Sequence, residues 1–367
     1  MPTSSTKLWY PEPGASDDSP ASRDEHTLDW LARCTNWKAK ECRRFLNESL
    51  AELPDQAVKS FLQNARHRWR SAFFELIVAR TLQALGATLK TEEPNETGRR
   101  PDFTATFADV PIVVEAVSPV FNAEAGEKIK TQKPLLEIIE EHKPDDVRCA
   151  VWKLPNIGLA DSKKEFKTAI KSIFSTLPDS LDDGRLDIVK QLSNGDIHIT
   201  ILPGKSKLGR VAIEPIIAVI GNCVDRIGNA VKEKKNQVRD SEVPVLLAIE
   251  APEIWCDLED FDMALFGQTF ERVDLEGRTV GTGFDASGIF ASRRTDDPTY
   301  AGVLAFPGVG FKKCSDPVLY LHPRFRGSLP SVLAVLECHS YNRETNRIEI
   351  RESSANIMKG LNFVKEP

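Results

Sequence analysis

The chain has 367 residues, 41% of them hydrophobic and 28% charged, with a formal net charge of −6. That is enough chain for one large core or two smaller ones, and too much for a single minimal motif. The negative balance does not advertise nucleic-acid binding, since a dedicated binder is often basic overall. No basic start precedes an apolar run, and no stretch of about 18 apolar residues occurs, so neither a signal peptide nor a membrane span is expected and a cytoplasmic protein is the default. The seven cysteines are odd in number, scattered, and lack Cys-x-x-Cys spacing; they read as reduced thiols, not as zinc ligands or disulfides.

Residues 1–26 are polar and rich in breakers, and disorder is expected there. Helical segments follow over 27–50 and 55–85. The second carries Phe61, Phe73, Phe74, Leu76, Ile77, Leu82 and Leu85, is closed by Gly86, and has Glu75 in its interior. A polar loop then leads to Pro101 and Asp102. From there Phe103, Ala105 and Phe107 alternate with Thr104 and Thr106, so Asp102 projects away from the phenylalanine side. The short turn Ala108-Asp109-Val110 and Pro111 lead into Ile112-Val113-Val114-Glu115-Ala116-Val117, a β-branched run that reads as a mostly buried central strand interrupted by one carboxylate.

Beyond it the pattern predicts a helix over 124–142 interrupted near Pro134, a strand over 148–154 and a helix over 163–177. A half-exposed strand over 196–201 comes next, then a helix over 222–239 and a buried strand over 243–249. Shorter strands are expected over 302–306 and 318–321. The expected divisions are a disordered segment (1–26), helices with the acidic core (27–145), an α/β elaboration packed on it (146–340) and a tail (341–367). No internal repeat is visible.

An ionised carboxylate in a buried strand is costly unless a cation, hydrogen bonds or water reach it. A hard divalent cation meets that need. Mg²⁺ or Mn²⁺ takes oxygen ligands, so Asp102, Glu115, the carbonyl of Ala116 and the more distant Glu75 together make a candidate metal site. Such an ion polarises a phosphate and acidifies an attacking water. Taken singly, the acids have plainer readings: Glu75 as an ion-pair partner of Arg70, Arg80 or Arg100, Asp102 as a turn cap, and Glu115 as the partner of an arginine inside the sheet.

At these residues the chain resembles the PD-(D/E)xK, or restriction-endonuclease-like, nuclease superfamily. Glu75 matches its helix glutamate, Pro101-Asp102 its Pro-Asp, and Glu115-Ala116-Val117 its (Asp/Glu)-x-Lys with the lysine missing. The likeness covers about residues 70 to 145. It implies an α/β protein with a restriction-endonuclease-like core, a mixed sheet flanked by helices, plus N-terminal helices and a C-terminal α+β elaboration. The activity implied is a Mg²⁺- or Mn²⁺-dependent endonuclease-like phosphodiesterase acting on DNA, with Asp102, Glu115 and Glu75 as metal ligands and catalytic groups. Members often act as dimers or beside a partner subunit. More loosely, the phrases at 244–249, 264–267 and 317–323 resemble bacterial proteins of unknown role with a similar Pro-Asp and Val-Glu-Ala pair upstream.

The isopropyl group of Val117 cannot stabilise charge developing on a phosphate. Either a lysine has moved in from elsewhere, or the chain is a catalytically inactive nuclease-fold module that binds nucleic acid or a protein partner. Lys128, Lys130 and Lys133 on the following helix are candidates, as are Lys232, Lys234 and Lys235 on the helix over 222–239. Its apolar stripe is Val224, Ile227, Val231 and Val238, and Lys234 and Lys235 fall on opposite borders of that stripe, where snorkelling is the plainer account. Lys133 and Lys234 are taken as the catalytic candidates, and Arg99, Arg100, Lys128, Lys130 and Lys235 as nucleic-acid contacts. Local charge agrees: 66–100 is net +3 and 201–240 is net +4, although charged helices are usually just solvated faces.

Other motifs are weaker. The Gly281-Thr282-Gly283 run superficially fits a dinucleotide fingerprint and reads as a turn-rich loop. Ser287 lacks a nucleophile elbow, and His198, His322 and His339 have no recognisable nucleophile partner. Trp30, Trp37, Trp69, Trp152 and Trp255 are expected to pack in the core.

Overall fold

The computed structural model describes residues 9–14, 17–19, 21, 25–91, 100–119, 123–155, 160–178, 184–204, 212–213, 223–237, 241–252, 256–274, 276–285, 287–291, 300–309, 314–342 and 344–361. The chain divides into two compact units, Met1–Pro119 with Asn222–Pro367, and Val120–Gly221. The second is therefore an insertion in the sequence of the first, and the expected divisions at 145 and 340 do not coincide with this partition.

The first unit opens with four helices, α1 (Thr27–Arg33), α2 (Trp37–Ala51), α3 (Asp55–His67) and α4 (Trp69–Ala84). Each long predicted helix is thus two. Asn36 starts α2 afresh by accepting from the Ala39 amide (2.9 Å), and Arg68 leaves helical geometry (φ −138°, ψ 57°) between α3 and α4. Hydrophobic periodicity carries across such one-residue or three-residue breaks, which is why it fuses the segments. Gly86 (φ +90°) closes α4 with paired bonds, Ala87 amide to Leu82 carbonyl and Gly86 amide to Gln83 carbonyl.

The disorder expected over 1–26 is not what the described part shows. The amides of Trp9 and Tyr10 donate to Asn47 Oδ1, and Asn47 returns a bond to the Tyr10 carbonyl. Arg33 holds Asp17 and Glu25, while buried Arg43 binds Glu12 and the carbonyls of Leu31 and Cys34. Composition misses this because a few polar anchors onto a helix pair do not need an apolar run.

Strands β1 (Thr88–Thr91), β2 (Phe103–Phe107) and β3 (Val110–Val117) follow. A two-residue turn joins β2 to β3, with both central residues, Ala108 (φ +42°) and Asp109 (φ +72°), left-handed as a type I′ hairpin requires.

The second unit comprises α5 (Ala123–His142), β4 (Val147–Lys153), α6 (Ala160–Ser175), β5 (Leu186–Leu192), β6 (Gly195–Pro203) and β7 (Ala212–Ile213). Its sheet order is β5-β6-β4-β7. Ile197, Ile199, Ile201, Cys149 and Val151 meet Leu136 and Ile139 of α5 and Phe166 and Ile170 of α6 in one core. Pro134 lies inside α5 without interrupting it, contrary to expectation.

The chain then returns to the first unit through α7 (Cys223–Gln237), β8 (Val245–Pro252), α8 (Leu258–Phe266), β9 (Thr269–Val273), β10 (Thr279–Phe284), β11 (Gly302–Val309), β12 (Val318–Leu321), β13 (Glu337–Asn342), β14 (Arg347–Arg351) and α9 (Ile357–Gly360). The Gly281-Thr282-Gly283 run is not a loop: it lies within β10, paired with β9. Nor is 341–367 a tail, because β13 and β14 complete the main sheet. That sheet has the order β1-β2-β3-β8-β11-β12-β13-β14, with β3, β8 and β11 parallel to one another and antiparallel pairs on either side. The architecture is mixed α/β, a mixed sheet flanked by helices.

Residues of one parity, including Phe103, Ala105, Ile112, Val114, Leu246 and Ala248, share a core with Phe73, Phe74, Ile77 and Leu82 of α4. The opposite parity of β3 and β8 faces α7, which packs on β8 and α8. Of the tryptophans expected in the core, Trp30 and Trp69 pack against it, Trp37 (39%) and Trp152 (41%) are exposed, and Trp255 lies outside the described residues.

Where β11 passes β12, a Cβ on Gly302 would stand 2.2 Å from the Tyr320 carbonyl oxygen, and backbone cannot retreat as a side-chain tip can. Gly302→Ala should therefore lower the free energy of unfolding in urea by about 2–3 kcal/mol. Gly277→Ala, a positive-φ turn position (φ +77°) with nothing within 4 Å of an added Cβ, should cost about 1–2 kcal/mol, from backbone strain alone.

Candidate active site

The hairpin turn dictates where the acids meet. Phe107 pairs with Val110 and the ladder runs back to Phe103 opposite Val114, so its next step sets Asp102 across from Glu115. Cross-strand neighbours share a face. The pair is tied further by the Ala116 amide, which donates to Asp102 Oδ2 (2.8 Å). Glu115 is 6% exposed, in the stretch Ile112–Glu115 that is buried at every residue, so it needs a partner.

That partner is Lys234. Its ammonium lies 2.8 Å from Glu115 Oε2 and 3.8 Å from Asp102 Oδ2. Rather than at the border of the α7 stripe, Lys234 sits on it: Cys223, Ile227, Ala230 and Val231 are buried, and Lys234 continues the same face eleven residues from Cys223, three helical turns at about 100° per residue. Of the two lysines singled out for the chemistry, the fold brings Lys234 to the acids. Lys133, in the second unit, makes an ion pair with Glu137 one turn along α5 (3.9 Å).

Glu75 lies on α4, beside a small cleft of about 50 Å³ that Asp102 also lines, together with Ser60, Thr91, Phe61 and Phe103. The charges of Asp102, Glu115 and Glu75 all act on Lys234: burial disfavours its positive charge, but the three acids outweigh that and raise its pKa. Burial also pushes the Glu115 carboxyl up to about 6, helped by repulsion from Asp102 and opposed by Lys234. The result is a half-desolvated knot of three carboxylates and one ammonium whose negative charges exceed its positive one.

One single-residue reading is corrected, and one buried acid is added. Glu75 is not the partner of Arg70, whose guanidinium instead holds Glu250 of β8 (Nη2 2.8 Å, Nε 3.0 Å). The Ser118 hydroxyl donates to the same carboxylate. Glu250, only 2% exposed, was missed by sequence reading, although the signal was the same as for Glu115: one acid closing an apolar β-run, Val245 to Ile249. Of the proposed nucleic-acid contacts, Arg100 is exposed two residues before Asp102. Arg99 and the side chains of Lys128, Lys130 and Lys235 lie outside the described residues. His339 is held between Asp262 and Glu337, at 2.9 Å from each, and His322 packs on Phe290.

Comparisons with protein-family models, with curated proteins and with solved structures return no match to this chain. The site stands on its own geometry.

A carboxyl whose pKa is higher folded than unfolded favours the protonated folded state. Its penalty is absent below about 4.5, grows as pH rises through the interval to about 6, and is full above that. In metal-free protein at pH 7.5, Glu115→Gln should therefore be more stable than wild type by about 1–2 kcal/mol, and the two should converge at pH 4. Urea unfolding at both pH values measures this; a variant weaker than wild type at pH 7.5 would refute the account of Glu115 as a strained charge.

Proposed function

We propose that this protein is a Mg²⁺- or Mn²⁺-dependent phosphodiesterase of the PD-(D/E)xK type that hydrolyses the DNA backbone. The observation that carries the reading is the ammonium of Lys234 set 2.8 Å from Glu115, because it supplies from α7 the positive charge that Val117 cannot supply from β3. Support also comes from the order of the acids, a helix glutamate, a Pro-Asp at a strand start and a buried strand glutamate, and from their convergence around one cation.

The donor set fits a hard divalent ion. It is all oxygen, it carries excess negative charge, and Glu115 is held at a raised pKa that a bound cation relieves. Asp102, Glu115 and the Ala116 carbonyl would hold the ion, with Glu75 as an auxiliary ligand or a group that orients water. Bound there, the metal supplies Lewis-acid polarisation of a phosphate and a more acidic water. The work of the chain itself is positional. The Ala116 amide fixes the Asp102 carboxylate, the β2–β3 register holds Glu115 beside it, and Lys234, protonated well above neutrality, offers N–H donors to a non-bridging phosphate oxygen as charge builds there. Arg100, exposed two residues before Asp102, would contact the phosphate backbone.

Plasmid and short single-stranded DNA incubated with Mg²⁺, Mn²⁺ or EDTA test the reading. Cleavage should require the metal and be abolished in Asp102→Ala and Glu115→Ala. Lys234→Ala should lower kcat by about 10²–10³-fold with DNA affinity nearly unchanged. Val117→Lys in the Lys234→Ala background should restore part of the lost rate, since it returns an ammonium to the face that Glu115 occupies. Folded wild type that binds DNA in a salt-sensitive manner but never cuts it would replace the enzyme with a binding module.

A further inference from the structure

A second cluster of chemically competent side chains lies in the first unit, apart from the acids of β2 and β3. Cys223, the first residue of α7, Cys256, just before α8, and Asp260, in the first turn of α8, bring one ligand atom each to within 4.8 Å of one another. Both cysteines are buried, at 3% and 8% exposure. We infer that Cys223, Cys256 and Asp260 form a Zn²⁺ site that clasps the start of α7 to the start of α8, with a solvent molecule as the fourth ligand.

The arrangement fits zinc better than it fits packing alone. Two thiolates and a carboxylate are donor types of tetrahedral Zn²⁺ sites, and three donor atoms within 4.8 Å of one another need only small side-chain shifts to share one ion at bonding distance. The carboxylate argues against a purely soft cuprous site, and the two sulfurs argue against Mg²⁺ or Mn²⁺, which the site at Asp102 and Glu115 would take. The backbone already orients one ligand. Asp257 caps α8, its Oδ1 accepting from the Asp260 amide (3.2 Å), while Asp260 Oδ2 accepts from the Asp257 amide (3.1 Å). This reciprocal box locks the Asp260 side chain against the helix start, next to the thiols.

The ligand spacing explains why the cysteine pattern did not disclose the site. Cys223 and Cys256 are 33 residues apart in sequence and no second Cys or His lies close to either one, so only the packing of α7 on α8 brings them together. Because α7 carries Lys234 three turns beyond Cys223, the clasp also fixes the helix that delivers Lys234 to Glu115.

The test uses full-length reduced protein stripped of metal by a chelator and titrated with Co²⁺, then with Zn²⁺. The expected result is sulfur-to-metal charge-transfer absorption and the intense visible bands of tetrahedral geometry that saturate at one Co²⁺ per chain, any Co²⁺ taken up by the all-oxygen acids lacking the charge-transfer band, and that are bleached by one equivalent of Zn²⁺. Cys256→Ser and Cys223→Ser should each weaken binding on the order of a hundredfold or more, since each removes a first ligand. Asp260→Asn keeps the capping geometry and should shift the visible bands and weaken binding less. Cys34→Ser, a buried thiol of the helical face, should leave the spectrum unchanged. Wild type without charge-transfer absorption would overturn the inference, as would a Cys256→Ser variant, folded by circular dichroism, that keeps it. Mg²⁺ and Mn²⁺ do not form these bands, so the outcome is independent of whether the protein cleaves DNA.

Discussion

The first unit depends on one strand pairing. Its two chain segments are separated by the inserted residues 120–221, and the parallel pairing of β3 with β8, Val113 with Val245 through Val117 with Ile249, knits them into a single sheet. Parallel pairing across so long an interval has a large loop-closure cost, offset only when the joined strands are buried on both faces. They are: Ile112 through Glu115 and Val245 through Ile249 are all buried. The demand for burial on both faces is what makes Glu115 anomalous, because the strand that closes the sheet carries a carboxylate in its most enclosed stretch.

From that constraint the candidate site follows. A buried charge must be answered by the element packed over it, and that element is α7, which leads directly into β8 and so must lie against the sheet it completes. Lys234 answers Glu115 from the α7 stripe, at a position where a purely structural helix would place an aliphatic residue. The same helix begins at Cys223, beside Cys256 and Asp260. One helix thus has a cation at its far end facing three acids and a thiol at its near end facing a thiol and a carboxylate. The position of both clusters is set by how α7 lies on β8 and α8.

The energetics of the acidic cluster run against stability. Desolvation and the opposition of Asp102 raise the pKa of Glu115 to about 6 even with an ammonium at 2.8 Å. A Gln in place of Glu115 would hold the strand at lower cost. Strain of this kind is found where a fold retains groups for chemistry. Glu250, buried likewise at the end of its strand, shows the contrasting solution: Arg70 and Ser118 both hold its carboxylate.

Much of this was written locally. The alternation from Phe103 to Phe107, the two-residue turn and the β-branched run to Val117 fix the hairpin and its register, because side-chain period and turn length are nearest-neighbour properties; that Asp102 faces Glu115 follows by counting from the turn. Strand β12 and the helix carrying Lys234 were legible for the same reason. Boundaries resting on one side chain were not: the break at Asn36, the unbroken passage of α5 through Pro134, and the anchoring of Trp9 and Tyr10 on Asn47 depend on single hydrogen bonds or packing that periodicity averages away. Nor could sequence place the glycine run of β10, whose hairpin with β9 compensates for poor strand propensity. The meeting of Lys234 with Glu115 and that of Cys223 with Cys256 belong to tertiary structure alone. They join groups 119 and 33 residues apart, and only burial of both faces of the β3–β8 pair decides which helix covers which strand.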